Sequence, residues 1–414
     1  MFKRYSGWQW MLINAANLAG KDKLTHEQRL DWATENLSKL ESFVDEAGSN
    51  YPQYITAVMG IRKAQKKQPT GLLVTVDAVN SGMQIMSALT GCLNGAKATG
   101  LVDDDRRPDA YTSVTEAMNK KLGGTLFISR NDAKRAVMTS MYGSDKVPGE
   151  VFGEDTIELD TFYEVMQLVA PGAWALLGKL KSAWNPGALA HSWKLPDGFD
   201  AVVKVMASFE KRIEVDELDH STFTYYYNVN EGSKKGISLV ANVVHSIDAF
   251  IMREMHRRCN YDEGMLEQAQ DLIEIELLSR ELGKPVEESP RVIHAQYYQE
   301  QDLRSKMGSL AGVAQINCIT VKRLDSIYLQ EMSRIISMVL EHKSFELVSL
   351  HDAFSAHANN VNQVRWHYKE ILAELADSNT LRDVLTQINP RMEQFQKLSN
   401  TLSEKIRQSS YALT

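Results

Sequence analysis

The stretch that most constrains how this chain folds is Arg130–Ser144, RNDAKRAVMTSMYGS. Arg130, Lys134, Met138 and Tyr142 recur at i, i+4, i+8 and i+12, positions that stack along one slowly drifting stripe of an α-helix. The stripe opens with two cations and ends in an aromatic ring followed by Gly143. A helix N-terminus already attracts anions through its free N–H groups and its dipole. A guanidinium and an ammonium on the same face complete a cradle for a polyphosphate. Tyr142 falls two turns beyond Lys134, about 12 Å along the axis at roughly 1.5 Å per residue. That separation suits a nucleoside triphosphate lying along the helix, phosphates at one end and sugar and base at the other. Spacing alone is met equally well by a surface helix whose Arg and Lys are merely solvated.

Two acids stand at strand ends far apart in the chain. Gly71–Val76 (GLLVTV) reads as a buried strand that runs into Asp77 and continues as AVNSGMQIMSALTG, a turn and then a helix. A carboxylate there is costly unless it is paired, bound to metal or capping the next helix. Phe345–Ser355 (FELVSLHDAFS) reads as strand, tight turn, strand, with His351 and Asp352 at the turn, where an aspartate is also an ordinary turn former. Together Asp77 and Asp352 are the pair of hard oxygen ligands that Mg²⁺ prefers in a site that must leave room for phosphates.

The string R-x3-K-R-x-V-M-T-x-x-Y-G-S closely resembles motif B of the single-subunit DNA-dependent RNA polymerases of phage and mitochondrial type. Asp77 with Ser81, Gly82 and Gln84 resembles motif A, with Ala78 where the family usually has Gly. The hairpin around Asp352 resembles motif C. Ala16, Asn17, Gly20, Asp22 and Lys23 match the segment A-N-x-x-G-x-D-K, and Asn242, His245, Ser246 and Asp248 match N-x-x-H-S-x-D.

The resemblance implies an α-rich α/β fold, the palm and fingers of a right-hand polymerase without the N-terminal domain and thumb. It places a first palm part at residues 1–105, fingers at 106–243, and a second palm part at 244–414 with a helical insertion at about 255–340. It further implies two Mg²⁺ ions on Asp77, the Ala78 carbonyl and Asp352. Lys134 and Tyr142 complete the catalytic set. Arg130, Lys23, Arg135, Met138, Gly143 and His245 contact the substrate, with Tyr142 and His245 sensing the ribose hydroxyl. The partners implied are a DNA template, nascent RNA, ribonucleoside triphosphates and a second subunit carrying the missing parts, as in the two-subunit RNA polymerases of some bacteriophages. A related DNA polymerase fragment and a non-catalytic scaffold subunit of a transcription complex are the rival readings.

Composition limits this reading without opposing it. The net charge is −7, so no global basic field advertises nucleic acid, although an acidic protein can still carry a basic cleft. Cys92, Cys259 and Cys318 are scattered with no C-x-x-C pair, which argues against a zinc ribbon and for a reducing compartment. No signal peptide is legible, and no apolar run reaches the ~18 residues that span a bilayer. The expected location is the cytoplasm of an infected bacterial host.

Elsewhere the chain predicts a cap at Thr25 and a helix to about Leu40, and a solvated basic helix end over Ile61–Thr70. A charged linker, DDDRRPD, precedes a helix closed by Gly123 and Gly124. Pro148–Ala190 reads as helical with breaks at Pro171-Gly172 and Pro186-Gly187, and His191–Val203 as strand, turn, strand. Tyr225, Tyr226 and Tyr227 sit in a β-like run that suits a sheet core, an aromatic rim or, by the resemblance, a hairpin reading promoter DNA. Asp248 and Asp352 lie about a hundred positions apart where the family has few. The sequence between is amphipathic helix, either a platform for a partner or a self-packed decoration. The tail ends in YALT, where the family has an apolar tail near the active centre.

Overall fold

The structure, a computed structural model, describes residues 2–103, 108–124, 126–232, 237–283, 292–392 and 395–414. Most of the DDDRRPD linker lies outside these residues. The helices before the first strand are α1 (Gly7–Ala16), α2 (His26–Glu35) and α3 (Tyr51–Gln65). Thr25 caps α2 as expected: its hydroxyl accepts from Gln28 N, and the Gln28 side chain returns a bond from Thr25 N. The helix stops at Glu35 rather than Leu40, and a 3₁₀ segment, Leu37–Phe43, buries Leu40 instead.

Strand β1 (Leu73–Asp77) is followed by α4 (Ser81–Thr90), α5 (Leu93–Ala98), α6 (Ala110–Lys121) and α7 (Arg130–Ser140). Then come α8 (Lys146–Phe152), α9 (Ile157–Val169) and α10 (Pro171–Ser182), with Pro171 in the first turn of α10, where its missing N–H costs nothing. Strands β2 (Ala190–Lys194) and β3 (Asp200–Lys204) pair antiparallel around the expected Pro196–Gly198 turn. The turn's Asp197 is buried and accepts from Arg253 at 2.6 Å and Arg257 at 3.1 Å, which pins the hairpin to the next long helix.

Strands β4 (Ala207–Val215) and β5 (Ser221–Val229) form a separate two-stranded ribbon. Every residue of β5 is exposed, so a sheet core is excluded for Tyr225–Tyr227, which lie on the surface of the ribbon. Helix α11 (Ile237–Cys259) leads into α12 (Glu263–Glu281), α13 (Ile293–Ser305) and α14 (Ser326–Val339). Strands β6 (Val348–Leu350) and β7 (Ala353–His357), then α15 (Val361–Asp377), α16 (Thr380–Ile388) and α17 (Leu402–Ile406), complete the chain.

Two hydrophobic cores result. The larger joins α1, α3, α4, α7, α11 and α15 to the three-stranded sheet β1-β7-β6. The smaller belongs to the excursion between α11 and β6: Leu266, Ala269 and Ile273 of α12 pack against Leu329, Met332 and Ile336 of α14. That excursion leaves and returns at one neck, where Phe345 N donates to Cys259 O at 2.8 Å and Tyr261 N to Ser344 Oγ at 2.9 Å. Residues 255–259 therefore belong to the continuous helix α11 and not to the excursion. No helix among the described residues is long and apolar enough to cross a membrane.

Candidate active site

Strand register assembles the acid side of the site. Strands β1 and β7 pair antiparallel with Asp77 opposite Ala353, so Asp352 stands one residue beyond the end of the ladder. His351, at φ +55° in the left-handed region, reverses the chain between β6 and β7 and holds Asp352 at the tip. The other edge of β1 is also held. Thr414 N donates to Asp77 O at 2.9 Å and Asp77 N to Thr414 O at 3.2 Å, with Ala78 bridged to Leu413. Gln84 adds a strut: its amide donates to Thr99 O and Ala412 O, while its carbonyl accepts from Tyr368 Oη at 2.8 Å. This fixes α4 to both α15 and the tail.

The acids repel one another. Burial and then the nearby Asp352 push Asp77 up to about 6, against the opposing pull of a backbone bond at Ala78 and of Lys134. The Asp77 carboxylate opens into the cavity and is wetted by it, but the protein mass around it still strips away much of its hydration. Asp248, on α11, is likewise pushed up to about 6 by burial and Asp352. Asp77 and Asp352 with the backbone carbonyl of Ala78 beside them are the kind of hard oxygen donors that Mg²⁺ takes, and a divalent ion there would relieve the repulsion between the acids.

Helix α7 forms the facing wall. Ser129 caps it, accepting from Asp132 N, and Ala133, Ala136 and Val137 bury its other face. Arg130, Lys134 and Met138 point into the cavity. Arg130 donates to Asp109 Oδ2 from Nη2 at 2.7 Å and from Nε at 3.0 Å. Its guanidinium and the Lys134 ammonium both lie over the ring of Tyr111, at 5.5 and 5.6 Å. Burial raises the Asp109 carboxyl, yet the bonds from Arg130 and Thr112 outweigh it and the net shift is downward. Tyr111 is pushed up to about 12, mainly by burial, and accepts from Asn80 Nδ2.

The helix ends at Ser140, so Tyr142 and Gly143 occupy the turn after it rather than continuing the stripe. Tyr142 still reaches the cavity because the turn folds back over α4. A Cβ at Gly82 would lie 3.1 Å from Tyr142 Oη, so a larger residue there would press on the ring and shift it slightly. His245 packs against the other side, ring centroids 4.6 Å apart. Burial raises the Tyr142 hydroxyl's pKa, and burial followed by His351 lowers that of His245. Gly143 sits at φ +90° against Val240, again a glycine position.

The resulting cavity has a volume of about 450 Å³. It gathers Lys23, Asp77, Ala78, Arg130, Lys134, Met138, Tyr142 and Asp352 from segments spread over most of the chain. Arg135 is not among its lining residues: it lies on the outer side of α7, with its side chain 64% exposed and 3.7 Å from Glu150. Gly143 and His245 stand behind Tyr142 rather than at the wall. Asp109 and Tyr111, which sequence reasoning missed, do line it. Asp109 carried a sequence signal, an N-cap acid before α6, whereas nothing local marks Tyr111. Among the described residues, the group of three potential metal ligands within mutual reach is Glu214, Asp216 and His220, all exposed at the tip of the β4–β5 ribbon and no part of this cavity.

Residues 4–159 match the family model of DNA-dependent RNA polymerase. The mitochondrial DNA-directed RNA polymerase of Neurospora crassa is 27% identical over 164 aligned positions, which take in 33% of this chain. The chain spans 12% of the length of that relative. The matched segment contains Lys23, Asp77, Arg130, Lys134 and Tyr142; Asp248 and Asp352 lie outside it and join it through α11 and the β6–β7 turn.

Proposed function

We propose that the chain is the catalytic part of a DNA-dependent RNA polymerase, with β1-β7-β6, α11 and α15 as palm and α7 as the nucleotide-gripping helix of the fingers. One observation carries the reading: two carboxylates at strand ends, Asp77 and Asp352, face two cations on one helix stripe, Arg130 and Lys134, across a single cavity. Acids opposite cations at this scale suit a substrate whose phosphates bridge metal and protein.

Asp77, Asp352 and the Ala78 carbonyl would hold two Mg²⁺, which supply Lewis-acid polarisation of the RNA 3′-hydroxyl and of the triphosphate. Arg130, Lys134 and Lys23 bind the triphosphate and offset the charge that grows on the leaving pyrophosphate. Lys134 Nζ delivers a proton to the pyrophosphate oxygen as it departs. The Tyr111 ring orients both cations, and Asp109 fixes the plane of Arg130. Tyr142, backed by His245, sits where the ribose lies and selects ribonucleotides. With a net charge of −7 the chain has no global basic field to draw in DNA. We therefore assign promoter binding and the thumb to a second subunit, with phage genes as the template.

The test is extension of an RNA primer on a DNA template in Mg²⁺ by the chain together with its native partners, comparing ribonucleotides with deoxyribonucleotides. Asp352→Asn is expected to cut extension about a thousand-fold or more, with far-UV circular dichroism unchanged. Undiminished synthesis by that variant removes the metal-site assignment, and equal use of both nucleotide types removes the RNA assignment.

A further inference from the structure

Arg29 of α2 is fully buried, yet it stands in the wall of the active cavity together with Lys23. A buried guanidinium is tolerated only where its N–H groups are answered. Two of them are answered by the chain around a single residue. Nε donates to Leu24 O at 2.8 Å and Nη2 to Asp22 O at 3.3 Å. One rigid plane thus grips the carbonyls of the residues on either side of Lys23. Leu24 N closes the same turn by donating to Lys21 O at 3.0 Å, and Asp22 Oδ2 meets Lys23 Nζ at 2.8 Å. The backbone of the turn is fixed, while the Lys23 side chain, 58% exposed, stays free to meet a substrate.

The helix that carries Arg29 is itself tied to the acid side of the site. His26, in its first turn, stacks on Tyr411, with ring centroids 4.9 Å apart and planes at 15°. Three residues further on, Thr414 pairs with Asp77. The tail is a common backing for the helix of Arg29 and the strand of Asp77. We propose that Arg29 is a positioning residue, which holds the Asp22–Leu24 turn where Lys23 meets the triphosphate. The proposal rests on the polymerase reading of the cavity. A turn held before nucleotide arrives loses no freedom when it binds, and a lysine misplaced by about 1 Å loses much of its effect. Arg29 acts through Lys23 and makes no contact with the substrate itself.

The probe is ATP with Mg²⁺, titrated against the full chain by calorimetry in a double-mutant cycle of Arg29→Lys and Lys23→Ala. Lysine keeps the buried charge but cannot reach both carbonyls. Arg29→Lys is expected to weaken ATP about five-fold, Lys23→Ala about ten-fold, and the double variant no more than Lys23→Ala alone. An arginine that only stabilises the fold, or one that touches phosphate itself, would weaken ATP further in the double variant, and that additivity overturns the proposal. So does unchanged affinity in Arg29→Lys, or a parent chain that binds no ATP. Near-UV circular dichroism checks the fold, and Arg29→Gln, which buries no charge, replaces Arg29→Lys if that variant unfolds. Hydrogen exchange needs no variant: the Leu24 amide of the parent should exchange slowly, and exchange at the rate of a free peptide also overturns the proposal. Primer extension remains the separate test of the polymerase reading. Coupling of Arg29 to Lys23 without extension sinks that reading alone, and extension with additive losses sinks this proposal alone.

Discussion

The main body and the α12–α14 excursion are built on opposite plans. The cavity draws its walls from Lys23 to Asp352 and is held by pairings between distant residues, such as Asp77 with Thr414 and Gln84 with Tyr368. The excursion has its own core, between residues 266 and 339, and is tied to the main body by the neck at Cys259 and Phe345 and by links such as Arg304 with Asp383 and Ser309 with Glu254. A site needs groups placed in three dimensions to within a fraction of an ångström, so it depends on many long-range contacts. An element with its own core can vary at its outer surface without disturbing those contacts.

One junction could break this contrast. Glu374 of α15 accepts from Arg258 of α11 at 2.7 Å and from Arg334 of α14 at 2.6 Å, so this carboxylate is one tie between the two regions, beside Glu254 and Asp383. Glu374→Ala leaves the fully buried Arg258 short of a partner and is expected to cost about 3–5 kcal/mol in urea unfolding. It should also split the transition in two. A single transition of unchanged midpoint would mean that the two regions are not joined here. Lys134→Ala acts on the cavity alone, with a loss of about a hundred-fold in kcat/KM for nucleotide and an unchanged unfolding midpoint.

Asp302 sharpens the junction through pH. Burial, then Glu331 and Glu374, push its carboxyl up from 3.8 to about 7. The folded chain thus holds a proton that the unfolded chain releases near pH 4. Its stabilising contribution is present at low pH and is lost as pH rises through 7, about 2–3 kcal/mol between pH 5 and 7. Asp302→Asn should flatten that part of the thermal stability profile; a variant profile parallel to the parent's would refute the assignment. Arg135→Ala makes the smallest change, since an exposed pair with Glu150 contributes about 1 kcal/mol at most. Primer extension should stay within about two-fold, and a larger loss would return Arg135 to the substrate.

Much of the cavity was legible before any coordinates. Helical spacing put Arg130, Lys134 and Met138 on one stripe and apolar runs put Asp77 and Asp352 at strand ends, but a solvated helix, a cap and a turn fitted those marks equally well, and the resemblance to the polymerase motifs singled the residues out. Tyr142 was identified for the cavity through the wrong geometry: the stripe stops at Ser140, and a turn over Gly82 brings the ring in. Arg135 differs from Lys134 by one residue, yet a step of 100° around the helix sends it outward.

By itself, then, the sequence determined which short segments are helix or strand and which of them carry charge at their ends. Only the tertiary structure decided that Asp352 meets Asp77 and that Tyr111 lies beneath both cations. The reason is that pairing register and packing are settled between separate segments of the chain, where no local pattern records the choice.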